Sequence, residues 1–299
     1  MKLVYCDEYD LNLGAHVFPS AKYRLVCEKL LGEGAIGVED VVKPVPASDA
    51  DVLRVHHQDY VERLKTGTLS YEEVLRMEVP YSPELVRAVW LAAGGSVLAG
   101  QLALDNSAAV NLSGGFHHAF PGHGEGFCVI HDVAVAIRRL QADGSIRAAM
   151  TIDCDVHQGN GTAFIFREDS TVFTFSIHQE RNYPDPKPPS DLDVNLEDGA
   201  GDDDYLAALD SALDQCLARF RPDLVFYLAG ADPYREDQLG GLRLSLEGLA
   251  RRDRMVFEKM AARSVPVAVT LAGGYARRLE DTVLIHSTTA RIAQDYARQ

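Results

Sequence analysis

The chain has 299 residues and a formal net charge of −15, from 44 Asp and Glu against 29 Lys and Arg. So acidic a balance argues against non-specific association with nucleic acid or an anionic membrane; it suits a cationic substrate, although such charge often serves only solubility. The length allows one α/β domain with a sizeable core.

The start, Met1-Lys2, is soon followed by Asp7, Glu8 and Asp10 with no apolar segment behind it, so no signal peptide is expected. No apolar run approaches about 18 residues, and no membrane-spanning helix is expected. The cysteines at 6, 27, 128, 154 and 216 are odd in number and lack a Cys-x-x-Cys spacing. They read as reduced thiols of a cytoplasmic protein.

In chain order, Leu3-Val4-Tyr5 reads as a short strand, His16-Val17-Phe18-Pro19 as a loop, and 21–31 as a helix stopped at Gly32. His56 and His57 lie in a 52–64 segment. The pair suits a metal, but the surface of a helix fits the pattern better. After a break at Pro80, Tyr81 and Pro83 comes a long helix, 84–104. Its Gly94, Gly95 and Gly100 suggest close packing rather than a phosphate loop. No repeat, low-complexity stretch or change of composition divides the chain, so 1–299 is expected to be a single domain.

From residue 108 one pattern recurs: an apolar run followed at once by a Gly-rich polar turn. The runs are 108–112, 148–152, 172–177, 224–228 and 265–271, with helical segments at 131–142, 202–219 and 245–263. Alternation of this kind predicts an open, mainly parallel sheet with helices on both faces. The turns 113–126, 153–161, 178–201, 230–241 and 272–277 should then gather at the C-terminal ends of the strands, where such sheets bind ligands.

The second turn reads Asp153-Cys154-Asp155-Val156-His157-Gln158-Gly159-Asn160-Gly161. Residues i, i+2 and i+4 of an extended segment share a face, so Asp153, Asp155 and His157 are expected to converge. No cation lies nearby in sequence to pair them, and a divalent metal is the natural filler. The plainer reading is a capped strand end with solvated acids. The first turn carries Gly114-Gly115-Phe116-His117-His118, the fourth Gly230-Ala231-Asp232, and the fifth Gly273-Gly274-Tyr275. Taken singly these are a pair of core histidines, an N-cap and a common turn. Brought together they supply a further metal ligand, two imidazoles and a phenol, a set suited to metal-assisted hydrolysis.

With these pieces in this order, and with Gly126-Phe127-Cys128 and Leu239-Gly240, the sequence resembles the histone deacetylase family, which also includes acetylpolyamine amidohydrolases and acetoin-utilisation proteins. Gln158-Gly159-Asn160-Gly161 further resembles its class IV branch. The resemblance implies an arginase/deacetylase-like α/β fold and a zinc-dependent hydrolase of acylated amines. It implies that Asp155, His157 and Asp232 ligate the metal and that His118 is general base and then acid. His117 would be an electrostatic partner oriented by Asp153, and Tyr275 a donor to the carbonyl oxygen. Gly126, Phe127 and Tyr183 would line the acyl channel, and Glu78 would grip the substrate backbone. A structural potassium ion is implied near Asp153, Asp155, His157 and Ser176, with a second near Phe166 and Val172. His131 departs from the residue usual at its position.

The chemistry agrees with that set. Three protein ligands leave a position open for water, an imidazole can relay the proton, and a phenol can meet the oxyanion. A set of two carboxylates and one imidazole would also accept ferrous iron. Asn160 is expected to accept the Nδ1–H of His118; the alternative is that it only shapes its turn. An arginase-like two-metal site would need a carboxylate at 159, where the chain has Gly159. A non-catalytic acyl-lysine binding protein would be expected to have lost a ligand or Tyr275. The expected partner is an acylated lysine of a protein, or else a small acylated amine such as an acetylpolyamine. The third turn is short for the loops that enclose polyamines in the family. Neither nucleic acid nor membrane is expected as a direct partner.

Overall fold

The computed structural model describes residues 1–297. Its strands are β1 (Lys2–Val4), β2 (Val41–Val42), β3 (Ala108–Asn111), β4 (Ala149–Asp153), β5 (Val172–Gln179), β6 (Leu192–Leu196), β7 (Leu224–Leu228) and β8 (Val267–Thr270). The α-helices are α1 (Ala21–Gly32), α2 (Asp49–Val52), α3 (Gln58–Thr66), α4 (Tyr71–Met77), α5 (Pro83–Asn106), α6 (Asp132–Ala142), α7 (Asn160–Phe166), α8 (Asp202–Arg219), α9 (Leu246–Ala261) and α10 (Leu279–Ala297). The strands form one sheet in the order β2-β1-β3-β8-β7-β4-β5-β6, and every pairing is parallel.

The sheet is covered on both faces, and the alternation of side chains along β7 shows how. Leu224, Phe226 and Leu228 share a core with Ala99 and Ala103 of α5 and Ile137 and Leu140 of α6. Val225 and Tyr227 point the other way, into a core with Leu209 and Leu213 of α8, Val256 and Phe257 of α9 and Ala290 of α10. Because β3, β8, β7 and β4 are neighbours, the turns that leave their C-terminal ends lie side by side. This is the convergence the alternating pattern predicts.

Three expectations need correction. The helix α5, started by Ser82 accepting from the Leu85 N–H with Pro83 in the first turn, is long and apolar enough to cross a membrane; 67% of its apolar window is buried inside the protein. Its Gly94 lies against the Val45 carbonyl and its Gly100 against Leu140, which accounts for the apolarity as packing. Residues 52–64 are not one helix. His56 is buried in the turn between α2 and α3, and His57 caps α3. The third turn is shorter than 178–201, because β5 runs on to Gln179 and β6 occupies 192–196. In the edge strand β6, Leu192, Val194 and Leu196 face the core in alternation with Asp193 and Asn195, a pattern distinct from the continuous apolar runs of the inner strands.

Candidate active site

The chain bends immediately after β4, so the expected single extended face ends at Asp153. The Asp153 carboxylate turns to the first loop: Oδ2 lies 2.7 Å from His117 Nδ1, while Oδ1 accepts from the Asp155 N–H at 3.1 Å. Asp155 and His157 lie beyond the bend and face Asp232 from the turn after β7. One ligand atom from each of these three buried residues falls within 4.8 Å of the others. Asp153 therefore stands behind the cluster rather than in it.

The cluster fits a cation. Asp155 accepts from the backbone N–H groups of His157, at 3.0 Å, and of Gly273, at 2.8 Å. Asp232 accepts from the Val156 N–H at 2.9 Å through Oδ1, but its Oδ2 is buried with no hydrogen-bond partner among the described residues. His157 Nδ1 is 3.0 Å from Asp155 and 3.6 Å from Asp232 Oδ2, the latter too long for a hydrogen bond. Burial, with the charge of Asp155 beside it, pushes the Asp232 carboxyl up; burial alone would lower His157, but the two carboxylates outweigh it and push the imidazole up to about 10. Both groups behave as if a positive charge were needed between them. No side chain fits at Gly273, where a Cβ would collide with Asp232 Oδ2. At Gly159 a Cβ would meet Asp153 Oδ2 at 2.6 Å, so a second bridging carboxylate has neither residue nor room there.

His117 and His118 reach the cluster from the turn after β3, their rings 4.1 Å apart. That turn is tied down by Asp132, whose carboxylate accepts from the N–H groups of Gly115 and Phe116. Burial would lower the pKa of His117, but Asp153 and Asp155 raise it to about 9. His118 has an amide rather than a carboxylate against its ring, and burial, then the charges of His117 and His157, outweigh the pull of Asp155 and hold it well below the ordinary imidazole value. Its Nδ1 lies 2.7 Å from Asn160 Oδ1, the contact the sequence suggested. Two adjacent imidazoles thus sit in opposite protonation regimes.

Tyr275 follows β8, with its N–H donated to Asp237 at 2.6 Å and its ring 5.7 Å from that of Phe127. Burial and the nearby carboxylates Asp155 and Asp232 push its phenol well above the ordinary value, so it keeps its proton. Gly126 passes close under His118 and Tyr183, and Phe127 is half-buried. Tyr183 packs edge-on to His118 at 4.8 Å and lies 6.3 Å from the His157 ring. It is also on the wall of a surface groove of about 520 Å³ shared with Arg76, exposed Glu78, Glu125, Asn160 and Lys187. Ser176 pairs in register with Asp153 across β4 and β5, and its Oγ is 2.9 Å from His178 Nδ1.

Three residues near the site escaped the sequence reading. Arg252 of α9 is fully buried and donates to the Gly230 carbonyl at 2.6 Å, bracing the loop that carries Asp232. Lys22 of α1 is fully buried and donates to the Ala272 carbonyl at 2.7 Å, with its ammonium 5.8 Å from the centre of the Tyr275 ring. A lysine beside Phe18 and Tyr23 in a first helical turn was the available signal. The third is Glu125, the one acid in the turn 113–126. His131, whose meaning was open, caps α6: its Nδ1 accepts from the Ala134 N–H, and its Nε2–H therefore donates to Thr162 Oγ1 at 2.8 Å.

The profile described as a histone deacetylase domain matches residues 16–290. An uncharacterised protein of Picosynechococcus sp. is 45% identical, over 94% of this chain and 93% of its own. Histone deacetylase 2 of Arabidopsis thaliana is 32% identical over 95% of this chain and 78% of its own length, and a probable deacetylase of Archaeoglobus fulgidus 31% over 92% and 81%. Among solved structures, the HDA15 HD domain superposes with a TM-score of 0.83 at 24% identity, covering 98% of this chain and 91% of that one, a likeness of fold.

Proposed function

The chain belongs to the histone deacetylase family and is a hydrolase acting on amides, and on that premise we propose that it removes acyl groups from lysine side chains. The observation that carries the reading is the unpartnered Asp232 Oδ2 facing Asp155 and His157 inside a buried cluster with His118 and Tyr275 beside it. These three residues would hold one divalent metal, zinc by preference, with ferrous iron also compatible with the ligand set. When bound, it supplies a Lewis acid for the acyl carbonyl and lowers the pKa of water.

The remaining steps belong to this chain's side chains. His118, kept neutral by its surroundings, takes a proton at Nε2 from the water that attacks the carbonyl carbon. As the C–N bond breaks it returns that proton to the departing amine. His117, held against Asp153, stays charged and orients the pair. Tyr275 donates its hydroxyl to the carbonyl oxygen as negative charge gathers there. Phe127 and Tyr183 offer aromatic walls for a methylene chain, and Glu78 stands at the rim to meet a substrate backbone. The Asp153, Asp155, His157 and Ser176 region would hold a structural potassium ion. Gln158 to Gly161 supports a class IV-like placement, and five free, buried thiols suit the cytoplasm.

The test is a matched panel: rates on acetyl-lysine and long-acyl-lysine peptides and on acetylpolyamines. Acyl-lysine peptides should be the better substrates. A preference for acetylpolyamines would overturn the choice of substrate, and no hydrolysis of any member would overturn the reading itself.

A further inference from the structure

Glu125 lies between Gly124 and Gly126, and the chemistry above leaves it without a role. Its Oε1 accepts from Asn160 Nδ2 and from the Tyr183 hydroxyl, both at 2.6 Å, while Oε2 faces His123 Nε2 at 3.2 Å. One carboxylate thus joins the turns after β3, β4 and β5. Burial would raise its pKa, but the donors from His123, Tyr183 and Asn160 outweigh that and hold it below the ordinary range. It is therefore charged at neutral pH.

A carboxylate has no proton to give, so the half of the Asn160 amide that faces it must be the NH2. The other half, Oδ1, is then turned to His118 Nδ1 at 2.7 Å, where it also accepts from the Gly161 N–H at 3.1 Å. An amide oxygen only accepts, so His118 carries its proton on Nδ1 and leaves Nε2 with a lone pair. If the amide turned over, its NH2 would face Nδ1, the proton would move to Nε2, and His118 could no longer act as a base. The two amide orientations have nearly the same shape. What separates them is Glu125 and the Gly161 N–H.

We propose that Glu125 is a positioning residue: it fixes the Asn160 amide, through it the tautomer of His118, and with the same oxygen it holds the Tyr183 ring against His118. This rests on the reading of His118 as the base.

Two measurements test it. Ring nitrogens of 15N-histidine-labelled protein, with the His118 signals assigned by their loss in His118→Gln, should show a single Nδ1–H tautomer at neutral pH. Glu125→Ala removes the acceptor, and Glu125→Gln permits either amide orientation; both should give mixed tautomers. Their kcat should fall about tenfold or more, as expected when a partner that orients an active group is lost, with metal content unchanged. The swapped pair Glu125→Gln with Asn160→Asp restores one donor facing one acceptor, since a carboxylate at 160 accepts on both sides. It should recover the single Nδ1–H tautomer and raise kcat above that of Glu125→Gln. A pure Nδ1–H tautomer in Glu125→Ala and Glu125→Gln, or a swapped pair no better than Glu125→Gln in either measurement, overturns the proposal. If the wild-type protein hydrolyses no acyl-lysine, the function proposed above fails while the tautomer measurement still decides the role of Glu125.

Discussion

Asp232 holds its Oδ2 3.6 Å from His157 Nδ1, beyond hydrogen-bond distance, and that oxygen has no hydrogen-bond partner among the described residues. A buried carboxylate oxygen left in this way destabilises the fold unless a cation completes it. Asp232→Asn removes the charge and keeps the shape. The metal-free variant should be at least as stable as the metal-free wild type, and zinc should raise the Tm of the wild type only. At free metal about 100 times Kd the wild-type gain is about 2.7 kcal/mol. An equal zinc-induced shift in both proteins would place the metal elsewhere.

Tyr275 keeps its proton because burial and the Asp155 and Asp232 carboxylates disfavour the phenolate. Its hydrogen bond should strengthen as the carbonyl oxygen becomes charged, so it acts on the transition state more than on the bound substrate. Tyr275→Phe should lower kcat by about 10²-fold or more with little change in KM. A variant that kept kcat and raised KM would make Tyr275 a binding residue.

The acidic limb of kcat/KM should report protonation of His118, whose neutral form is the base. A negative charge beside Nδ1 favours the imidazolium and raises its pKa, so the neutral form is lost at a higher pH. Asn160→Asp alone would press a second carboxylate against Glu125, with which Asn160 shares a 2.6 Å contact. In the Glu125→Gln background that conflict is gone, and adding Asn160→Asp should move the limb to higher pH at unchanged zinc content. A limb that stays, or moves to lower pH, refutes the charge argument.

His56 and His131 form a buried pair: His56 Nε2 accepts from the His131 N–H at 2.9 Å. Burial lowers the His56 pKa to about 4 and holds His131 well below the ordinary value. Both bind protons more readily unfolded, at about 6.5, so acid favours unfolding. The loss is absent above pH about 6.5, grows as pH falls towards about 4, and for His56 alone is roughly 3 kcal/mol. His131→Asn keeps an acceptor for the cap of α6 and removes one buried imidazole. Urea unfolding of metal-free protein should show a shallower fall between pH 6.5 and pH 4 in that variant. An unchanged slope would mean that His131 does not titrate on unfolding.

Local pattern carried far in this chain. The runs at 108–112, 148–152, 172–177, 224–228 and 265–271 each coincide with a strand of the sheet to within two residues at its C-terminal end, and their alternation with helices foretold the edge at which His117, Asp155, Asp232 and Tyr275 meet. What escaped was short, lacked a continuous apolar run, or was long-range. The edge strand β6 turns Leu192, Val194 and Leu196 to the core in alternation with Asp193 and Asn195, with no continuous apolar run, and β2 is two residues long. Asp153 was expected beside Asp155 and His157 because the strand was read as continuing, and the bend that sends it to His117 has no signal in residue periodicity. Glu125 meets Tyr183 across 58 residues and Lys22 meets Ala272 across 250, contacts that exist only once the turns are assembled.

The most direct test of the whole account is a metal titration of activity. Metal-free protein is given zinc in steps, and release of free lysine amine from an acyl-lysine peptide is followed together with bound metal. Activity should rise linearly and level off at about one equivalent, with none in Asp232→Asn; Tyr275→Phe should bind the same equivalent while hydrolysing slowly. Full activity without metal, a plateau at two equivalents, or an active Asp232→Asn would contradict a single metal held by Asp155, His157 and Asp232.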